Sequence, residues 1–198
     1  MTMTPIGIDR GKAPLLPGAR MVLRELVPEH VTDRYLSWLN DDIVNQYSRR
    51  YRKPAQTVED VLRWMNGLGR DEVAFAIEVP GLGHIGNVKY GPVNWSNLDA
   101  DLSIMVGATE SWGQGYGAEA MYLVTRHLFV DRGLNRVHAG SVNPAFIRMV
   151  EKLGWQREGI QREEARIDGE FRDSVLLSFL RREFVCRPEY EPVADQSG

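Results

Sequence analysis

The chain has 198 residues, 43% of them hydrophobic and 9% aromatic, enough to enclose one sizeable core. A formal net charge of −3 excludes a strong overall field for nucleic acid or an anionic membrane, and no run of about 18 apolar residues is present to span a bilayer. The single cysteine, Cys186, excludes an intrachain disulfide framework and argues for a reducing, cytoplasmic setting.

In chain order, residues 1–19 lack a signal-peptide apolar core and read as a flexible, Pro- and Gly-rich arm. A single domain is expected over 20–184, and a polar tail over 185–198. "MVLREL" alternates like a first strand. Pro28 stands near a helix start, and Val31, Tyr35, Trp38 and Leu39 share one helical face. Thr57 with Asp60 forms a capping-box variant that opens a second helix, with Val61, Leu62 and Met65 inward. Three strands follow at 73–79, 84–91 and 100–107, separated by turn residues and suited to antiparallel meander pairing.

A glycine-rich turn then leads into a helix to about Asp131, with Gly133 placed to end it. "RVHAGSV" reads as a strand. In "NPAFIRMVEKLG", Asn143 is the N-cap, Pro144 takes the first helical position and Gly154 terminates. The last segment reads as two strands around Asp168-Gly169, a hairpin turn. The order β-α-α-β-β-β-α-β-α-β-β predicts an α/β (α+β) fold: a mixed, mostly antiparallel sheet of about seven strands with helices on both faces.

The turn "SWGQGYGAEAMYL" carries Gly113, Gly115 and Gly117 at alternating positions. A strand, a glycine loop and a helix start together make an anion site. The first helical N–H groups lack intrahelical partners, and glycines let a ligand approach the backbone. The spacing is neither G-x-G-x-x-G nor a P-loop, and no Lys-Ser or Lys-Thr pair follows. A pyrophosphate that is held and not cleaved fits; a ligand-free turn is the plain alternative.

"WGQGYGAEA" after "ADLSIMVG" resembles motif A of the GNAT superfamily of acetyl-CoA-dependent N-acetyltransferases, and "NPAFIRMVEKLGW" resembles its motif B. The resemblance covers about residues 20–182 and is similar to the ribosomal-protein and amino-sugar branches. It implies a GNAT-like sheet, acetyl-CoA as co-substrate and no metal. It places the coenzyme pyrophosphate on the backbone of Trp112, Gly113, Gln114, Gly115, Tyr116, Gly117 and Ala118. It runs the pantetheine arm along Met105, Val106 and Gly107. Trp112 stands where the family usually has Gln or Arg. Asn143, Phe146 and Arg148 are the implied motif B contacts, with Phe146 replacing a frequent Ser.

Acetyl transfer to an amine needs a proton acceptor and a donor for the developing oxyanion. Asp101 matches the position of a Glu that some members use, and Ser103 lies on the same strand face. A strand N–H near Met105 or Val106 is the oxyanion donor. Where many members carry a tyrosine general acid, this chain has Val150, which cannot donate.

The resemblance also suggests an amino group on a nucleotide-linked sugar as acceptor, with Trp38, Asn40, Asp41, Tyr47 and Asn87 as contacts. The basic run Arg49, Arg50, Arg52 and Lys53 would meet its diphosphate. Alternatives are a protein N-terminus, a polyamine or drug amine, and a non-catalytic acyl-CoA-binding module. The expected partner is a small-molecule amine, with no nucleic acid or membrane and a homodimer through the hairpin edge as an open option.

Overall fold

Strand-forming segments between turns assemble into one eight-stranded sheet flanked by helices. The computed structural model describes residues 13–48 and 55–192. The strands are β1 (Leu16–Pro17), β2 (Val22–Glu25), β3 (Val73–Val79), β4 (Gly83–Asn94), β5 (Asp99–Val106), β6 (Arg136–Ser141), β7 (Gln156–Ile167) and β8 (Glu170–Leu180). The α-helices are α1 (Asp33–Leu39), α2 (Val58–Asn66), α3 (Tyr116–Arg126) and α4 (Pro144–Leu153). The strand order is β1-β2-β3-β4-β5-β6-β8-β7.

The expected meander is present. β2, β3, β4 and β5 pair antiparallel in succession, and β7 and β8 form the terminal hairpin. The extra strand is β1, which pairs with β2 through Leu16↔Leu23 and Pro17↔Val22. It corrects the expected arm: Leu16 is buried, and residues 13–19 belong to the folded body. The expected tail is also held at its start, because Glu191 accepts from the Tyr122 hydroxyl at 2.6 Å.

Helix signals act where the sequence put them. Thr57 and Asp60 bond each other's backbone N–H in a capping box. Asn143 Oδ1 accepts from Ala145 N–H at 2.9 Å, and Gly154 ends α4 in the left-handed region at φ 107°. After α3 the chain continues through a π-helical turn at His127–Asp131 before Gly133 breaks it at φ 72°. The first predicted helix is shorter than its apolar pattern: Pro28–His30 forms a 3-10 turn, and α1 begins only after Thr32 caps it.

Phe75, Ile77, Val88, Leu102, Met121, Leu128 and Val137 share the main core. Burying each large apolar side chain contributes about 1.5–3 kcal/mol. Ala74, Ala76 and Leu26 face the other way and pack against Trp64, Met65 and Leu68 of the α2 region. Helices therefore cover both faces of the sheet, as the pattern predicts.

One junction positions everything functional. β5 and β6 are the parallel pair, and they pair only at Asp99↔Arg136, Ala100↔Val137 and Asp101↔His138. β5 then continues to Val106 against β4 alone, and β6 continues to Ser141 against β8 alone. Beyond Asp101 and His138 the sheet is forked.

Candidate active site

The glycine loop sits at the open end of the fork. Gly113 and Gly115 adopt φ 75° and 85°, a region that costs an L-residue about 1–2 kcal/mol. Gly115 is the N-cap of α3 and offers no side chain to the first-turn amides, so they remain available to an anion. A Cβ on Gly113 would meet nothing within 4 Å, which leaves the outer face of the loop open to a ligand.

The loop is held from behind by Arg20. Its Nη1 donates to the Gln114 carbonyl at 2.8 Å, and its Nε donates to Glu119 at 2.8 Å. The guanidinium lies 4.8 Å from the centre of the Tyr116 ring. Nη2 points towards Gly115, 3.3 Å from where a Cβ would stand. Gln114 Nε2 donates to the Glu110 carbonyl at 2.8 Å.

The fork edge of β5 supplies backbone groups selectively. Gly107 N–H donates to Ile85 of β4 at 2.9 Å. Antiparallel alternation turns the Met105 amide towards β4 as well and leaves those of Ile104 and Val106 facing the fork. Among the three residues expected to line the pantetheine arm, Val106 therefore presents its backbone, while Met105 and Gly107 belong to the β4 ladder. The Val106 carbonyl accepts from Trp112 Nε1 at 2.8 Å, which ties the loop to the strand. Gly107 has a second duty: a Cβ there would lie 2.2 Å from the Trp38 ring.

The two faces of β5 divide the work. Ile104 and Val106 point towards α3, where Gly117 approaches both side chains. Asp101 and Ser103 occupy the opposite face by alternation. There the fork root opens into a cleft of about 250 Å³ lined by Asp101, Arg136, His138, Gly140, Glu158 and Leu176, among others. His138 Nδ1 lies 3.8 Å from Asp101 Oδ2. Arg136 donates to both oxygens of Glu158 at 2.6 Å, and Ser178 Oγ donates at 2.7 Å. These donors hold the Glu158 carboxyl down at about 2, Arg136 first and Ser178 next.

The motif B residues divide similarly. Asn143 Oδ1 is engaged as the α4 cap. Phe146 packs on the core, Arg148 is exposed, and Val150 is fully buried. Tyr122, in α3 behind the glycine loop, donates to Glu191, and its ring stacks on Phe184.

Several expected acceptor contacts have other partners. Trp38 is buried and packs edge-on against Tyr35 and His84. Asn40 exchanges hydrogen bonds with Gln56 across a loop, accepting its N–H at 2.7 Å. Asp41 Oδ1 accepts from Ile43 and Val44 N–H. These contacts hold the fold locally, and they engage all three residues that the sequence suggested as sugar contacts. Tyr47 is exposed. Asn87 is buried beside His84, its Oδ1 2.9 Å from Nε2. Burial pushes the His84 imidazole below its usual value, partly offset by the hydrogen bond to Asn87. Arg49, Arg50, Arg52 and Lys53 lie outside the described residues.

The acetyltransferase (GNAT) domain model matches residues 20–156. The chain belongs to the GNAT acetyltransferase family. It is 24% identical over 170 residues to an uncharacterized N-acetyltransferase, p20, of Bacillus licheniformis, covering 83% of this chain and 95% of that one. Its fold is similar to that of a spermidine N-acetyltransferase from Vibrio cholerae solved in complex with CoA and spermine. That likeness has a TM-score of 0.73 at 20% identity, over 83% of this chain and 97% of the other. A GNAT-family acetyltransferase from Bacillus anthracis matches with a TM-score of 0.70 at 19% identity, over 86% of this chain and all of that one. The protein is thus an acetyl-CoA-dependent N-acetyltransferase of the GNAT type.

The GNAT loop and fork fit their co-substrate. Left-handed glycines and uncapped α3 amides suit a pyrophosphate, and the unpaired edge of β5 suits an amide-bearing arm. Sequence reasoning missed three residues here: Arg20, Glu119 and His138. Glu119 carried a signal, a lone carboxylate inside the apolar "AEAM" face of a helix. His138 carried only strand parity, and its partner is distant in sequence. Among the described residues, no group of three or more His, Cys, Asp or Glu is arranged to hold a metal ion. No described helix is long and apolar enough to cross a membrane.

Proposed function

We propose that the protein acetylates a primary amine on a small cationic molecule of the polyamine or alkylamine type. The observation that supports this is the fork-root cleft. It opens on the β5 face opposite α3, so donor and acceptor approach the break in the sheet from different sides. The cleft is open to solvent and carries the Asp101 carboxylate on its wall. A carboxylate there suits a cationic amine.

The α3 amides and the glycine loop hold the diphosphate of acetyl-CoA, which supplies the acetyl group as a reactive thioester. The Val106 N–H stands at the fork edge as donor to the thioester oxygen. Asp101 lines the cleft and attracts the incoming amine by charge, and Ser103 stands two residues further along the same face of β5. The spermidine acetyltransferase fold match agrees with a small polycationic acceptor but does not choose among amines.

Thiol release from acetyl-CoA tests the reading, with spermidine, a simple alkyl diamine, a nucleotide-linked amino sugar and a peptide with a free N-terminus as acceptors. Turnover is expected on the first two. Turnover confined to the amino sugar or the peptide overturns the choice of acceptor.

A further inference from the structure

Asp101 and His138 are the last paired rung before β5 and β6 separate. Every residue beyond them on β5 has lost its β6 neighbour. The two side chains therefore stand at the root of the fork, on the face that carries the cleft, and both line it. His138 Nδ1 is 3.8 Å from Asp101 Oδ2, and the side chains are 37% and 46% exposed. Both are reachable by a solute, and neither is locked in the core.

We propose that His138 is the proton acceptor of the acetyl transfer, with Asp101 as the carboxylate that orients its ring and stabilises the imidazolium. This rests on the amine-acetyltransferase reading above and moves the proton from the carboxylate, where the sequence puts it, to the imidazole. An imidazole matches the task better than a carboxylate: its affinity for a proton lies closer to neutral pH, so more of the driving force for transfer is kept. At 3.8 Å the pair is within ion-pair reach; a small approach that turns Nδ1–H to Asp101 leaves the lone pair on Nε2.

In the step, the amine nitrogen forms a C–N bond to the acetyl carbonyl carbon as its N–H proton passes to His138 Nε2. The C–S bond breaks, and the sulfur leaves with the electron pair. The imidazolium returns the proton to that thiolate, leaving amide, thiol and neutral His138. No other reactant is needed.

The charged and polar surroundings of the ring are mixed. Asp101 of β5, Arg136 of β6, and Glu158 and Gln161 of β7 share the cleft with it, Ser178 of β8 is its register partner, and Lys89 of β4 lies further along the sheet. Lys89 is paired with Glu72 at 2.6 Å and Arg136 with Glu158 at 2.6 Å. Asp101 is the carboxylate within ion-pair reach of the ring among the described residues.

The test has two arms. With spermidine as probe amine, His138→Gln should lower kcat about 100-fold or more while the KM for acetyl-CoA stays within about twofold. The low-pH limb of the kcat profile should disappear, and free imidazole should restore part of the rate to His138→Ala. An unchanged kcat, or a lower kcat with the limb intact and no imidazole rescue, overturns the proposal. The second arm needs no acceptor: the His138 ring is titrated by NMR in the wild-type chain and in Asp101→Asn. A downward shift on losing the carboxylate supports the pair, and identical titrations overturn it. If spermidine is not a substrate, the choice of acceptor fails by itself, and the NMR arm still decides on the pair.

Discussion

Glu119 lies in the first turn of α3, fully buried, and Arg20 binds both of its oxygens. The backbone N–H of Arg20 donates to Oε1 at 2.8 Å and its Nε to Oε2 at 2.8 Å. Across 99 positions of sequence, this pair clamps the β1–β2 connection onto the start of α3, and Nη1 extends the clamp to Gln114 of the glycine loop. Glu119→Gln keeps the volume and removes the charge. It should cost about 1–3 kcal/mol of stability and weaken CoA binding about tenfold or more, measured by calorimetry. Arg20→Ala and the double variant complete the cycle. Additive losses would show that the two side chains do not act as one clamp.

Glycines 107 and 117 look alike in sequence and should respond oppositely to alanine. At Gly107 a Cβ would lie 2.2 Å from the Trp38 ring, and that ring is hemmed in by Tyr35 and His84. Gly107→Ala should destabilise by about 2–3 kcal/mol. At Gly117 the nearest atom is the Met149 sulfur at 3.1 Å, the far end of a flexible side chain. Gly117→Ala should be neutral or stabilising by up to about 1 kcal/mol, because alanine is the better helix residue. Thermal melts of the two variants separate these outcomes.

Asn143 is engaged as a helix cap, accepting from Ala145 and Phe146 N–H. Asn143→Ala should cost about 1 kcal/mol, a fall of about 2–4 °C in Tm for a chain of this size. Asn143→Ser keeps a capping oxygen and should recover most of it. A cap loss alone would leave the KM for acetyl-CoA within about twofold. A much larger rise would show that the side chain also meets the coenzyme.

Two groups should give the fold a measurable acid sensitivity. Glu158 is held at about 2 by Arg136 and Ser178, against the usual 4.5. The stabilisation of its ionised form is complete above about 4.5 and fades as pH falls towards 2. Burial lowers the His84 imidazole below 6.5, so folding favours its neutral form. That contribution is present above about 6.5 and is lost as pH falls below it. Urea unfolding against pH should show both. Glu158→Gln should flatten the curve below about pH 4.5, and His84→Gln should reduce the fall that begins near 6.5, to which His127, also lowered by burial, contributes. Curves parallel to wild type would exclude these groups as the cause.

Local chemistry wrote much of this protein into its sequence. Thr57 with Asp60, Asn143 with Pro144, and Gly154 fix helix ends through short-range hydrogen bonds and backbone sterics. The strands at 73–79 and around 100–106 follow from apolar β-forming residues between turns. Gly113, Gly115 and the helix start behind them mark an anion-binding loop because only backbone conformation and free amides are needed there. Asp101 and Ser103 share a face by a period of two, which any strand obeys.

What depends on long-range pairing was decided only by the tertiary structure. Nothing near Leu16 says that it pairs with Leu23 or that Glu119 awaits Arg20. Trp38, Asn40 and Asp41 look like ligand contacts in isolation, because stacking and hydrogen-bonding groups serve a sugar or a fold equally well. Their contacts with Gly107, Gln56, Ile43 and Val44 show that each also serves the fold. The fork itself is a matter of where β6 stops running beside β5. That boundary sets His138 opposite Asp101 across a separation of 37 positions, which no local periodicity can encode, since parallel register is fixed by how β6 and α3 pack on the rest of the sheet.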